Sequence, residues 1–228
     1  DAIPAGFKDA DGMWTGFAAR ARVIIYNTDL LKEPPKSIRD FVKPEWKGKL
    51  AIAKPLFGTT ATHVAALFAM WGDDGAKQFL RGLVENDVAI LSGNAAVRDM
   101  VASGEYAAGL TDTDDANGAI EDGKPAKWLF PDQEDGGLGT LVLPNTVALV
   151  KGAPHSDAGK KLIDYLLSPE VEAALARARS VQIPLNPSVQ APANVSNLSG
   201  IRAMRVDFSE AAAKMEDAMA FSRETFNR

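Results

Sequence analysis

Short apolar runs alternate with longer amphipathic stretches along most of this chain. The run Arg20-Ala-Arg-Val-Ile-Ile-Tyr-Asn27 has a β-branched centre and predicts a strand. Leu50-Ala-Ile-Ala53 and Val88-Ala-Ile-Leu91 predict two short buried strands. Tyr106–Leu110 and Ala126–Phe130 predict two more. Between them the apolar positions recur at helical spacing over Ala61 to about Trp71, Ala76–Val84 and Ala95–Ala102. Another helix begins near Asp115 and runs to Glu121. Such alternation predicts an α/β fold on a largely parallel sheet.

The pattern changes after a Gly- and acid-rich loop at Asp132–Gly139. Thr140–Val150 reads as a long extended run interrupted by Pro144, of the kind that can serve two lobes at once. Asp157–Leu167 and Pro169–Arg179 read as helices, the second with proline in its first turn. Asp207–Arg228 is mostly helical in pattern. The chain therefore divides into a compact α/β unit at about 30–138 and flanks, 1–29 and 139–228, that form part of a second unit. The 228 residues suit one large domain or two small ones.

One stretch stands out, Gly104-Glu-Tyr-Ala-Ala-Gly-Leu-Thr-Asp-Thr-Asp-Asp-Ala-Asn117. An apolar strand runs directly into a set of carboxylates and hydroxyls. In α/β sheets, ligands sit beyond the carboxyl ends of the strands. Asp112, Asp114 and Asp115 repel one another, so water, a cation or an amine must offset their charge. Their oxygens suit a hard cation or the ammonium group of an organic ligand. The plain alternative is one helix cap with two solvated neighbours. The stretch also echoes an EF-hand from Thr113, with Gly118 at the sixth place. Its first place is Thr and its twelfth is Lys124, which excludes that loop.

Composition narrows the function classes. A net charge of -5 argues against nucleic acid as a partner. The absence of cysteine removes thiolate chemistry and disulfides, and two histidines supply little for metal binding or acid–base work. No Gly-x-Ser-x-Gly elbow, phosphate-binding loop or dinucleotide fingerprint is present, which argues against an enzyme. Three aspartates packed on one loop share a ligand more readily than they flank a bond. A metal-stabilised structural module built on that loop is the alternative of another class. Gly58-Thr-Thr60 opens the helix at Ala61, and Ser92-Gly-Asn94 opens the next in the same style. Both read as caps or as anion-attracting helix starts. Arg20 and Arg22 flank the first strand, where they meet either an anion or a salt-bridge partner. His63 reads as a satisfied helix histidine, His155 as exposed, and Trp14, Trp46 and Trp71 as packing residues.

Four segments together resemble the periplasmic ferric-iron-binding proteins, solute-binding components of ABC importers. They are Trp14–Asp29, Pro44–Ala53, Lys160–Glu170 and Ile183-Pro-Leu-Asn-Pro187. The resemblance implies the type II periplasmic binding protein fold, with one complete α/β lobe and the C-terminal part of the other. It implies that residues preceding Asp1 in the family complete the first lobe, so the missing segment or another copy is expected to cover the partial lobe's apolar edge. It implies a periplasmic location, an ABC permease as partner, and a small ligand captured between two lobes by hinge closure. Gly58, Thr59, Thr60 and Asn94 match positions that hold an anion beside ferric iron in the family. Thr113 and Asp114 fall where iron-binding members place adjacent tyrosines. Tyr26, Tyr106 and Tyr165 are the only tyrosines, so that iron site is not preserved. Two ligands follow from the resemblance and its departure. One is Fe3+ or another hard cation with a co-bound anion, with Asp114, Asp115 and Asp112 as metal ligands. The other is a small phosphonate, phosphate ester or oxyanion carrying an amine.

Overall fold

The computed structural model describes residues 2–192, 195 and 197–226. Its first strand, β1 (Thr15–Asn27), belongs to two compact units in turn. Unit 1 contains 1–21 and 142–201, and unit 2 contains 22–141 and 202–228.

In unit 2 the strands lie in the order β3-β2-β4-β1-β5, with β2 at Leu50–Ala53, β3 at Ala89–Leu91, β4 at Ala108–Asp112 and β5 at Ala126–Leu129. The sheet is largely parallel, as expected, with one exception: β2, β3, β4 and β5 run in one direction and β1 runs against them. β2 pairs in parallel with β3 and β4, whereas β1 runs antiparallel to both β4 and β5. Parallel strands need a crossover, usually helical, between them, and α1 (Gly58–Glu85), α2 (Asn94–Ala102) and α3 (Thr113–Glu121) provide one for each step from β2 through β3 and β4 to β5. β1 enters from unit 1 and is free to run in the other direction.

Side-chain alternation then assigns the two faces. Val23, Ile25, Ala51 and Ala53 pack on one side with Val97, Val101, Ala116 and Ala119 from α2 and α3. On the other face, Ile52 and Leu110 line a small apolar cavity with Val64, Leu67 and Leu80 of α1. Within α1, Gly72 stands at φ 69° and ψ 169°, so two helical pieces meet there. The sequence pattern shows the same break between its Ala61–Trp71 and Ala76–Val84 helices. Gly109 brings β4 close to its neighbours: a Cβ there would stand 2.5 Å from Val97 Cγ1 and 2.9 Å from the Ala51 carbonyl oxygen.

Unit 1 pairs the first half of β1 with β6 (Val142–Val147), from Thr15↔Val147 to Ala21↔Val142, with a register shift between Gly16 and Ala18. Pro144 lies inside this strand, opposite Ala19. Helices α4 (Ser156–Leu166) and α5 (Pro169–Arg177) follow. Ser168 caps α5 by accepting the Val171 amide hydrogen, next to the proline at its first position. Glu172 is buried on α5, where its carboxylate accepts the amide hydrogens of Leu185 and Asn186. Burial holds its pKa above the ordinary glutamate value. α4 buries none of its residues, and Val150, Leu162 and Tyr165 are exposed.

The C-terminal helices differ from the expected partition. Residues 139–228 read from sequence as part of the first lobe, but 202–228 belong to unit 2. There α6 (Phe208–Ala213) and α7 (Met215–Phe226) pack on α1. The Phe221 ring lies tilted against Phe68, 6.4 Å between centroids, and under the Arg81 guanidinium, and Lys214 bonds Asp73 at 2.8 Å. Among the described residues no helix is long and apolar enough to cross a membrane.

Candidate functional site

The polar cluster of unit 2 is built at the carboxyl ends of β2 and β4. Antiparallel pairing sets Arg22 of β1 directly across from Asp112, the last residue of β4. Both are buried, at 0% and 1% exposure, so neither charge has bulk water for a partner. The Arg22 Nη1 donates to Asp112 Oδ1 at 2.6 Å. The same nitrogen lies 3.0 Å from Thr59 Oγ1 and 3.0 Å from Asn94 Oδ1. Nη2 donates to Thr60 Oγ1 at 3.2 Å and to the Leu110 carbonyl at 3.4 Å.

The second oxygen of Asp112 is held as well. Thr59 Oγ1 donates to Asp112 Oδ2 at 2.7 Å, and Asn94 Nδ2 donates to it at 2.9 Å. Asn94 Nδ2 also reaches Thr59 Oγ1 at 2.9 Å. Thr111 Oγ1 bonds the Asn94 carbonyl, tying the start of α2 to β4. A buried ion pair persists when its remaining donors and acceptors find partners, and here most of them do. The Nε of Arg22 is the exception, being buried without a hydrogen-bond partner.

This geometry brings together five of the sequence-predicted residues. Gly58 opens α1 with φ 61°, a left-handed value that favours glycine, and Thr59 and Thr60 follow in the first turn. Asn94 opens α2. Neither helix is capped by a side chain: the N-cap residues are Phe57 and Gly93. The hydroxyl of Thr59 and the amide of Asn94 are directed at Asp112 instead, which corrects the capping expectation. Asp112 is itself the N-cap residue of α3 but makes no side-chain cap bond.

Thr113, Asp114 and Asp115 occupy the first turn of α3. Thr113 is buried, and the two aspartates are half-buried. Carboxylates there are favoured by the helix dipole, and Arg98 Nη1 lies 3.9 Å from Asp115. One oxygen from each of Asp112, Asp114 and Asp115 falls within a single 4.8 Å set. The three charges that seemed to demand one explanation thus have two. Arg22 neutralises Asp112, and the start of α3 stabilises the other pair.

His63, one turn into α1, is buried, and its Nε2 has no hydrogen-bond partner. Burial, with the Arg22 charge as a lesser cause, depresses its pKa to about 3, so it is neutral at pH 7. His155 is exposed. Arg20 bonds Asn145 of unit 1. The role of Arg22 was the part least visible in advance, although a cation inside an apolar strand signals a buried counter-charge.

A model of the family described as bacterial extracellular solute-binding protein matches residues 1–213. The chain belongs to this family. Among curated solute-binding relatives, the iron uptake protein A1 of Synechocystis is 32% identical over 202 residues, covering 82% of the chain and 56% of that protein. A Salmonella typhi periplasmic protein named, provisionally, for binding 2-aminoethylphosphonate is 28% identical over 170 residues, covering 74% of the chain and 50% of that protein. The major ferric iron-binding protein of Neisseria meningitidis serogroup B is 28% identical over 207 residues, 88% of the chain and 61% of that protein. The chain thus spans half to three fifths of the length of these solute-binding relatives. Among solved structures, the ferric binding protein from Campylobacter jejuni superposes with a TM-score of 0.86 at 24% identity, over 98% of this chain and 73% of that one. AfuA from Actinobacillus pleuropneumoniae, solved with fructose-6-phosphate, superposes with a TM-score of 0.84 at 20% identity, over 100% of this chain and 74% of that one. These similarities show the type II fold.

Proposed function

We propose that this chain belongs to the extracytoplasmic solute-binding component of an ABC importer, and that its ligand is a hard cation, with ferric iron first. The role is capture and delivery to a membrane permease, without chemistry on the ligand. One observation carries the cation reading: carboxylate oxygens of Asp112, Asp114 and Asp115 converge within 4.8 Å at the carboxyl end of β4. Hard cations take oxygen donors, and clustered carboxylates fit them better than they fit an oxyanion. In this reading Asp114 and Asp115 are the principal ligands, and Asp112 is shared with Arg22. Thr59, Thr60, Asn94 and Thr113 shape the site beside them. The names of the Synechocystis and Neisseria relatives point to the same cargo.

The test is titration of the purified chain with iron(III) nitrilotriacetate, followed by metal analysis and calorimetry. One iron per chain is expected. Asp114→Asn and Asp115→Asn should each weaken binding by about tenfold or more while leaving the fold intact. A protein that takes up no iron, and that carries a small organic amine in native mass spectra, would overturn the cargo while leaving the binding role.

A further inference from the structure

Three side-chain donors converge on the Asp112 carboxylate. Arg22, Thr59 and Asn94 all donate to one carboxylate, from three different elements. That carboxylate lies beside the first turn of α1, a 28-residue helix whose opening N–H groups have no partner within the helix. The Arg22 guanidinium is fully buried and its Nε has no hydrogen-bond partner, so one of its donors remains unused beside the Asp112 carboxylate. A free oxyanion would need these same donors, and they are already engaged.

We infer that Asp112 is a tethered anion that occupies an oxyanion receptor formed by Arg22, Thr59 and Asn94, and that it thereby sets the specificity of the site. The consequence for the cargo rests on the cation reading above. A cation held by Asp114 and Asp115 finds its neighbouring anion in the chain and needs no co-bound phosphate or carbonate. The same carboxylate excludes phosphate esters and phosphonates from the start of α1 by occupying their donors and by charge repulsion.

The experiment uses inorganic phosphate as the probe. Wild type, Asp112→Ala and Asp112→Asn are each titrated with phosphate by calorimetry at fixed ionic strength. The alanine variant opens the space and the asparagine variant keeps the shape, and both leave the Arg22 charge uncompensated. Asp112→Ala is expected to bind one phosphate at least about tenfold more tightly than wild type, and Asp112→Asn, whose amide still fills the receptor, is expected to gain less. A folded alanine variant with no gain overturns the proposal. So does a wild type that binds one phosphate as tightly as that variant. Should the alanine variant not fold, the wild type still decides: phosphate binding at micromolar concentration sinks the tethered anion, and its absence up to millimolar concentration supports it. The iron titration fails or succeeds separately. No iron uptake with a phosphate-gaining variant would remove the cargo and keep the tether.

Discussion

Arg22 and Asp112 face each other across the β1–β4 register and meet at 2.6 Å, with almost no exposure to solvent. The pair stands where the two strands end their pairing, so it links sheet geometry to the polar cluster. Removing one partner leaves the other charged and buried. Arg22→Met should therefore cost about 3–5 kcal/mol of unfolding free energy, whereas Arg22→Met with Asp112→Asn should cost less than the sum of the single changes. Urea unfolding monitored by circular dichroism measures both. Additive losses would mean that the pair is not coupled.

His63 makes part of the acid sensitivity predictable. Its pKa is about 3 in the fold and near 6.5 when unfolded. The unfolded state therefore binds the extra proton first. The contribution of His63 is fully present above pH 6.5 and is lost progressively as pH falls toward about 3, by about 1.4 kcal/mol per pH unit within that window. His63→Gln should flatten the melting temperature against pH between those limits. An unchanged slope would show that the imidazole is not held neutral.

Glu172 has the opposite sign. Burial raises its folded pKa above the ordinary 4.5, so its contribution is present below 4.5 and is lost as pH rises through the folded value. Glu172→Gln keeps an oxygen acceptor for Leu185 and Asn186 but never ionises. The variant should gain stability relative to wild type as pH increases from 4.5 to 7. Parallel melting curves across that range would reject this account.

Gly109 offers a purely steric check on the placement of β4. An alanine Cβ would meet Val97 Cγ1 at 2.5 Å and the Ala51 carbonyl at 2.9 Å, one of them backbone. Gly109→Ala should destabilise by about 1–3 kcal/mol through overpacking. Because β4 ends in Asp112, it should also loosen the Arg22 pair. Chemical denaturation and the phosphate titration together report both effects, and a loss below about 0.5 kcal/mol would mean that β4 shifts freely.

Much of the fold was legible because local pattern and burial agree. Leu50–Ala53 is a strand with the expected bounds, and Asn94–Ala102 and Ser156–Leu166 differ from expectation by a single residue at their ends. Gly72 breaks α1 where the helical pattern lapses, since glycine alone adopts that φ without strain. The polar cluster was legible by residue type and position: Thr59, Asn94 and Asp112 meet there as hydrogen-bond partners.

What the sequence by itself determined was the set of elements, their faces and the acidic end of β4, because periods of 2 and 3.6 record burial directly. Only the tertiary structure decided which partner each polar group takes. Arg22 and Asp112 are 90 residues apart in sequence and meet only because β1 runs antiparallel to β4. The tertiary structure also decided that α6 and α7 pack on α1, and that Thr59 and Asn94 turn toward a carboxylate instead of capping their helices. Hydrophobic periodicity carries no information about such pairings. They depend on desolvation, which makes an unpaired buried charge so costly that the fold must bring its counter-charge to it.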